Sequence, residues 1–173
     1  MSQIPPPIPP LTPAIRPLDP SADLSAVNTF YDLAQDYWLL ADRRPPDLQK
    51  ARDFFTDGPP GCDPARSHRL GLFVDGVLSG VAELSFGFPE PQDAYLGLMM
   101  LAPARRGTGH GAAFLAHVEG LARAAGAPRI LLGVLEANPR GRAFWERQGF
   151  AATGISRTDA ETGHVTHRLV KAL

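Results

Sequence analysis

Apolar positions along this chain recur with two periods, and each change of period marks the end of one element and the start of another. Residues 22–40 place Val27, Phe30, Tyr31, Ala34 and Trp38 three and four apart, the spacing of one face of a helix. Pro45 and Pro46 end that helix, and residues 47–55 read as a second, shorter one before the loop Gly58-Pro59-Pro60-Gly61-Cys62-Asp63-Pro64. A hairpin follows, with strands at 70–74 and 77–88 joined by the turn Asp75-Gly76. Residues 95–101 are short and apolar throughout, which suits a buried strand. The helical period returns with Phe114, Val118, Leu121 and Ala125, with Glu119 and Arg123 between them, until Gly126 and Pro128 supply a stop. A strand at 14–17, a strand at 130–135, a short helix after Asn138 and a terminal strand pair near 151–157 and 164–170 complete the order. The fold class this predicts is α/β: a mixed sheet with helices on both faces.

Chemistry concentrates at the junction between the strand at 95–101 and the helix after it. Ala102-Pro103-Ala104-Arg105-Arg106-Gly107-Thr108-Gly109-His110-Gly111 places three alternate glycines there. Backbone N–H groups without a Cβ in the way, backed by the positive end of a helix, make a cradle for a diphosphate. Arg105 and Arg106 add positive charge that would screen it. One reading takes the run from Gly107 as the dinucleotide fingerprint G-x-G-x-x-[G/A], with Glu136 as the ribose acid. Residues 102–106, however, separate the first glycine from the strand that it should close, and the chain lacks room for the second half of such a fold.

The other reading takes the frame Arg106-x-x-Gly109-x-Gly111, preceded by Leu101-x-Pro103. Here the sequence resembles the GCN5-related N-acetyltransferases, whose coenzyme A loop is [Q/R]-x-x-G-x-[G/A]. A second block, Asn138-Pro139-Arg140-Gly141-Arg142-Ala143-Phe144-Trp145-Glu146-Arg147-Gln148-Gly149-Phe150, resembles that family's other signature. The resemblance implies a sheet in which two neighbouring parallel strands, 96–101 and 130–135, splay apart to admit the pantetheine arm of acetyl-coenzyme A. It also implies cofactor contacts from Met99, Met100 and Leu101 by their backbone, from Arg106, Gly107, Thr108, Gly109, His110 and Gly111 at the diphosphate, and from Asn138, Phe144 and Trp145. From the residues alone, Met99, Met100, Leu101, Phe144 and Trp145 are also ordinary core, and Asn138 is a helix cap.

The implied reaction is direct acetyl transfer from acetyl-coenzyme A to a primary amine of a small molecule or peptide, with no metal and no covalent enzyme intermediate. An alkyl ammonium has a pKa of about 10.4, so a group must accept a proton before nitrogen attacks. Glu83, among Val81, Ala82 and Leu84, is the candidate base. Many members of the family carry a tyrosine acid where this chain has Trp145, whose indole cannot serve. Tyr95 is the substitute if the fold turns it inward. Trp145 also favours the alternative that the chain is a non-catalytic acyl-coenzyme A sensor. Glu90 and Asp93 read as loop acids, and His164 and His167 point to opposite faces of a strand.

Composition narrows the partners. A net charge of −1 on 173 residues argues against a nucleic-acid partner. A single cysteine, Cys62, rules out an intrachain disulfide. With no apolar run long enough to span a bilayer and no signal-peptide pattern, the cytoplasm is the expected location and a membrane partner is not expected. Residues 1–13, with six prolines between 4 and 13, read as an extended arm, and residues 14–173 as one acetyltransferase-like domain. Whether the protein is a homodimer, and which amine it takes, stay open at this point.

Overall fold

A computed structural model describes residues 13–173, so the proline-rich arm at 1–13 falls, but for Pro13, outside the described residues. Among these, seven strands form one sheet in the order β1-β2-β3-β4-β5-β7-β6. In chain order the elements are β1 (Ala14–Pro17), α1 (Leu24–Leu33), α2 (Gln35–Asp42), α3 (Leu48–Thr56), β2 (His68–Val74), β3 (Val77–Phe86), β4 (Ala94–Leu101), α4 (His110–Ala124), β5 (Arg129–Leu135), α5 (Pro139–Arg147), β6 (Ala151–Thr158) and β7 (Val165–Ala172). The only parallel neighbours in this sheet are β4 and β5; the other pairs are antiparallel. That topology excludes the dinucleotide reading, which needs a mainly parallel sheet. Glu136, its ribose acid, instead meets His167 Nε2 at 3.2 Å.

Each face of the sheet is covered by helices that bury an apolar side. On one face Phe114, Leu115 and Val118 of α4 and Trp145 of α5 pack on Leu84, Leu96, Ile130, Leu132 and Leu169. On the other, Val27, Phe30 and Tyr31 of α1, Trp38 of α2 and Ala51 and Phe54 of α3 pack on Leu78, Val81 and Met100. The single helix expected over 22–40 is two helices, because the backbone turns at Ala34 (φ −103°, ψ 26°). Its periodicity survives the turn, since Trp38 and Tyr31 still pack together with ring centroids 4.9 Å apart. The Asp75-Gly76 turn closes the β2–β3 hairpin as expected, with both residues at positive φ (52° and 76°).

Two local features shape the centre of the sheet. A bulge between Glu83 and Leu84 lets Leu96 and Leu98 occupy opposite faces, with Gly97 as the extra residue on β4. This is why residues 95–101 read as apolar throughout: β4 changes faces halfway along. Second, β4 and β5 pair only at Ala94↔Ile130, Tyr95↔Leu131 and Leu96↔Leu132, although both strands continue. The closed end is held by Asp93, which is fully buried and takes two hydrogen bonds from Arg129 at 2.7 and 2.8 Å. Arg129 holds the Asp93 carboxyl below the usual carboxylate range. The loop acid expected at this position thus fastens the two strands where their parallel pairing begins.

Candidate active site

Beyond Leu96 and Leu132 the two strands diverge, and their facing edges lose their ladder partners. Ala102 donates to Ser79 of β3 at 2.8 Å, so by strand alternation Met100 and Leu98 also address β3. Met99 and Leu101 therefore direct their backbone groups into the opening, where the Leu101 carbonyl accepts from Arg106 Nε at 3.1 Å. Of the three expected backbone contacts, Met99 and Leu101 face the gap, whereas Met100 spends its polar groups on β3.

The glycine run forms the far end of the same cleft. Pro103–Arg105 make one turn of 3-10 helix, Gly107 has φ 72°, and Gly109 caps α4 in the left-handed region at φ 85°. The first helical bond is from Ala113 to Gly109 at 3.2 Å, and no side chain caps α4, so the N–H groups of His110, Gly111 and Ala112 have no intrahelical partner. Thr108 Oγ1 donates to the Arg105 carbonyl at 2.7 Å and lies 2.5 Å from His110 Nδ1, which braces the loop. A Cβ on Gly111 would stand 3.2 Å from the Phe144 ring, so this glycine lets α4 and α5 approach. Arg106 does not hang free: its guanidinium pairs with Asp36 of α2 at 2.5 and 3.1 Å.

The N-terminus of α5 is built the opposite way. Asn138 accepts from the Gly141 amide at 3.0 Å, so its side chain acts as a cap. Trp145 is 9% exposed and lies edge-on between Phe144 and Phe150, with centroids 4.9 and 5.5 Å away. Residues 96–101, Arg106, Gly107, Gly109, Gly111, residues 132–135, 137–141 and 144–145, with Asp36, Tyr37 and Leu40 of α2, line a cleft of about 680 Å³ beside α4 and α5; Thr108 and His110, expected at the diphosphate, are not in its lining.

A second cleft, of about 660 Å³, opens on the other face between α2, α3, the 58–60 loop, β6 and β7. Glu83 lies in its floor at 4% exposure, accepting from Ser85 Oγ and 3.9 Å from Arg69 Nη2. Burial raises the Glu83 pKa, while the Ser85 hydroxyl, Arg69 and the Gly97 amide pull it back. A Cβ on Gly97 would land on the Glu83 carboxyl and displace it, so glycine here leaves that carboxyl its place. Tyr95 points into this second cleft, with its ring edge-on to Phe88 at 5.0 Å. Burial raises its pKa, Arg168 lowers it and Glu83 raises it. The two clefts share Tyr37, Gly97, Leu98, Gly133 and Leu135, and so meet through the opening between β4 and β5.

The acetyltransferase (GNAT) family model matches residues 27–150, most of the chain. The chain belongs to the GNAT acetyltransferase family. An acetyltransferase from Thermus thermophilus superposes with a TM-score of 0.72 at 25% identity, covering 94% of this chain and 98% of that one. The ribosomal-protein-S18-alanine N-acetyltransferase of Escherichia coli gives 0.68 at 18% identity over 93% and 94% of the two chains. The PaiA N-acetyltransferase of Thermoplasma acidophilum, in complex with coenzyme A, gives 0.68 at 19% identity over 94% and 100%. No curated protein matches this sequence.

For a GNAT acetyltransferase the α4-side cleft has a suitable donor set for coenzyme A: an uncapped helix N-terminus behind left-handed glycines, and unpaired strand edges along the approach. Glu83 and Tyr95, the expected catalytic pair, come together on the opposite side of the opening. Tyr95 is therefore turned inward, but away from the cleft that holds the glycine loop. Sequence reasoning missed Arg69, Ser85 and Tyr37. Tyr37 has its pKa pushed up to about 12 by burial and by Asp42, so near neutrality it is an uncharged phenol. Among the described residues no three His, Cys, Asp or Glu side chains group as a metal site, and no helix is long and apolar enough to cross a membrane.

Proposed function

We propose that this chain transfers an acetyl group from acetyl-coenzyme A to a primary amine of a small molecule or peptide by direct attack. The observation that carries the reading is the pair of clefts on opposite faces of the sheet that meet at Gly97 and Gly133. One cleft offers backbone donors suited to a diphosphate, the other offers a buried carboxylate suited to an amine, and the opening joins them.

The roles follow from the chemistry of each group. The free amides at the start of α4, with those of Gly107 and Thr108, hold the diphosphate, and Arg106 adds charge from beside Asp36. Met99 and Leu101 offer strand-edge hydrogen bonds to an amide-bearing arm lying in the gap. The thioester supplies an acyl carbon activated toward nitrogen. Glu83, kept basic by its raised pKa, accepts a proton from the incoming ammonium. A backbone N–H of β4 donates to the carbonyl oxygen as it gains charge. Across the reaction the C–N bond forms as the C–S bond breaks; the ammonium becomes an amide, the thiolate takes up one proton and one proton is released. Trp145 offers no acidic proton, and a thiol with a pKa of about 8.5 leaves readily without one.

The test is thiol release from acetyl-coenzyme A with a panel of amines. Acceptor-dependent turnover is the expected result; tight binding of acetyl-coenzyme A with no turnover on any amine would make the chain a sensor.

A further inference from the structure

The wall of the second cleft contains a row of residues that crosses the whole centre of the sheet. Strand register sets Arg69 opposite Glu83, Glu83 opposite Leu98 with Gly97 bulged beside it, and, across the opening, Gly133 opposite Arg168. Residues directly opposite one another on neighbouring strands share a face, so the row reads cation, acid, the Gly97–Leu98 bulge, glycine, cation. The space that side chains on the two glycines would take is filled by neighbours, at Gly97 by the Glu83 carboxyl. A Cβ on Gly133 would lie 3.3 Å from the Tyr95 hydroxyl and 2.8 Å from Thr166 Cγ2.

The two cations at the ends of this row differ in what they hold. Arg69 is buried, donates to the Phe54 carbonyl at 2.5 Å and to Ser67 Oγ at 3.2 Å, and has the Glu83 carboxylate 3.9 Å from its Nη2, which itself has no hydrogen-bond partner, so an acid of the protein already stands beside its charge. Arg168 is half-buried and lies over the Phe88 ring, 5.1 Å from its centroid. None of the ion pairs among the described residues includes Arg168. The acids around the cleft are largely taken. Asp42 pairs with Lys50 at 2.7 Å, Asp53 accepts from Gln49 at 2.8 Å, and Asp159 accepts from Glu161 and Thr162 of its own loop. Only the exposed Asp57 and Glu161 are left over. Trp38 Nε1 and His164 Nε2, buried ring nitrogens of residues that line the same cleft, also have no hydrogen-bond partner.

An amine at the opening therefore has a carboxylate on one side and an unmatched guanidinium on the other. We infer that the acceptor is a small zwitterion, a free amino acid whose ammonium faces Glu83 and whose carboxylate is bound by Arg168. A guanidinium binds a carboxylate through two parallel hydrogen bonds, so the same contact that supplies affinity also orients the amine toward the gap. The product is the N-acetyl amino acid with free thiol, one proton being released. The inference rests on the acetyltransferase reading of the site.

The experiment measures thiol release from acetyl-coenzyme A with common L-amino acids, each beside its carboxamide and its decarboxylated amine, and with spermidine as a polycation. At least one amino acid is expected to exceed both of its counterparts lacking the carboxylate in kcat/KM by about tenfold or more, with spermidine poor. Arg168→Gln is expected to erase that preference while calorimetry shows unchanged acetyl-coenzyme A binding. Equal rates on acid and carboxamide, preference for spermidine, or no turnover of any amino acid overturns the inference while leaving cofactor binding intact. Absence of acetyl-coenzyme A binding overturns the acetyltransferase reading itself, and this inference with it. The comparison on the wild-type chain needs no variant, so a poorly folding Arg168→Gln protein does not blunt the test.

Discussion

The two clefts that meet between β4 and β5 are built by different means. The α4-side cleft is mostly backbone: left-handed glycines, an uncapped helix N-terminus and strand edges without partners, drawn from two short runs of chain. The opposite cleft is mostly side chain. Its Glu83, Arg69, Tyr95 and Arg168 come from four strands and are brought together only by register. A site made of backbone needs particular residue types at fixed spacing, whereas a site made of side chains can recruit them from anywhere in the sheet. The two helix N-termini in the first cleft repeat the contrast on a smaller scale, since Asn138 closes α5 on itself while Gly109 leaves α4 open.

The largest expected effect attacks the backbone cleft. Gly109→Glu puts bulk and negative charge where the diphosphate would lie, and should weaken acetyl-coenzyme A by at least about 100-fold in calorimetry. No neighbour lies within 4 Å of a Cβ at this glycine, so Gly109→Ala is limited to the strain of a left-handed residue, about 1–2 kcal/mol. Unchanged affinity in Gly109→Glu would remove the cradle from the account.

Next comes the side-chain cleft. Glu83→Gln should lower turnover by about 100-fold or more and leave acetyl-coenzyme A affinity as it was. The sign with pH is fixed by the burial that raises the Glu83 pKa. The working form is the carboxylate, so activity falls as pH drops through a value above that of an ordinary glutamate, and Glu83→Gln should lose this acid limb. A variant that keeps the limb would move the proton-accepting role elsewhere.

Smaller effects separate structure from binding. Asn138→Ala should cost about 1 kcal/mol of stability, seen as a lower Tm, with little change in cofactor affinity, because its oxygen already serves Gly141. If affinity instead falls as far as in Gly109→Glu, the two helix ends share the diphosphate. Asp36→Asn is expected to do least. The Arg106–Asp36 pair is partly exposed, so its loss should change stability by about 0.2–1 kcal/mol, checked by denaturant titration.

How far each cleft could be read from the sequence follows the same division. Gly107, Gly109 and Gly111 stood out because a side chain would spoil the turn or the approach of α5, and the element order followed from apolar period and turn residues. Arg69 was invisible for a physical reason. Counting outward from the Asp75-Gly76 turn pairs Arg69 with Ala82; the bulge between Leu72 and Phe73 moves the register by one and delivers it to Glu83. The change of face at Gly97 was hidden in the same way, because both ends of β4 are apolar. The turn at Ala34 has neither glycine nor proline to announce it, and Arg168 acquires meaning only beside Gly133 on the neighbouring strand.

The most direct test of the central claim is calorimetric titration of ligand-stripped protein with acetyl-coenzyme A, with NAD titrated in parallel. The account predicts micromolar binding of acetyl-coenzyme A at a single site and none of NAD. No heat with acetyl-coenzyme A, or equal binding of NAD, would contradict it, because the open N-terminus of α4 and the gap between β4 and β5 would then serve some other ligand.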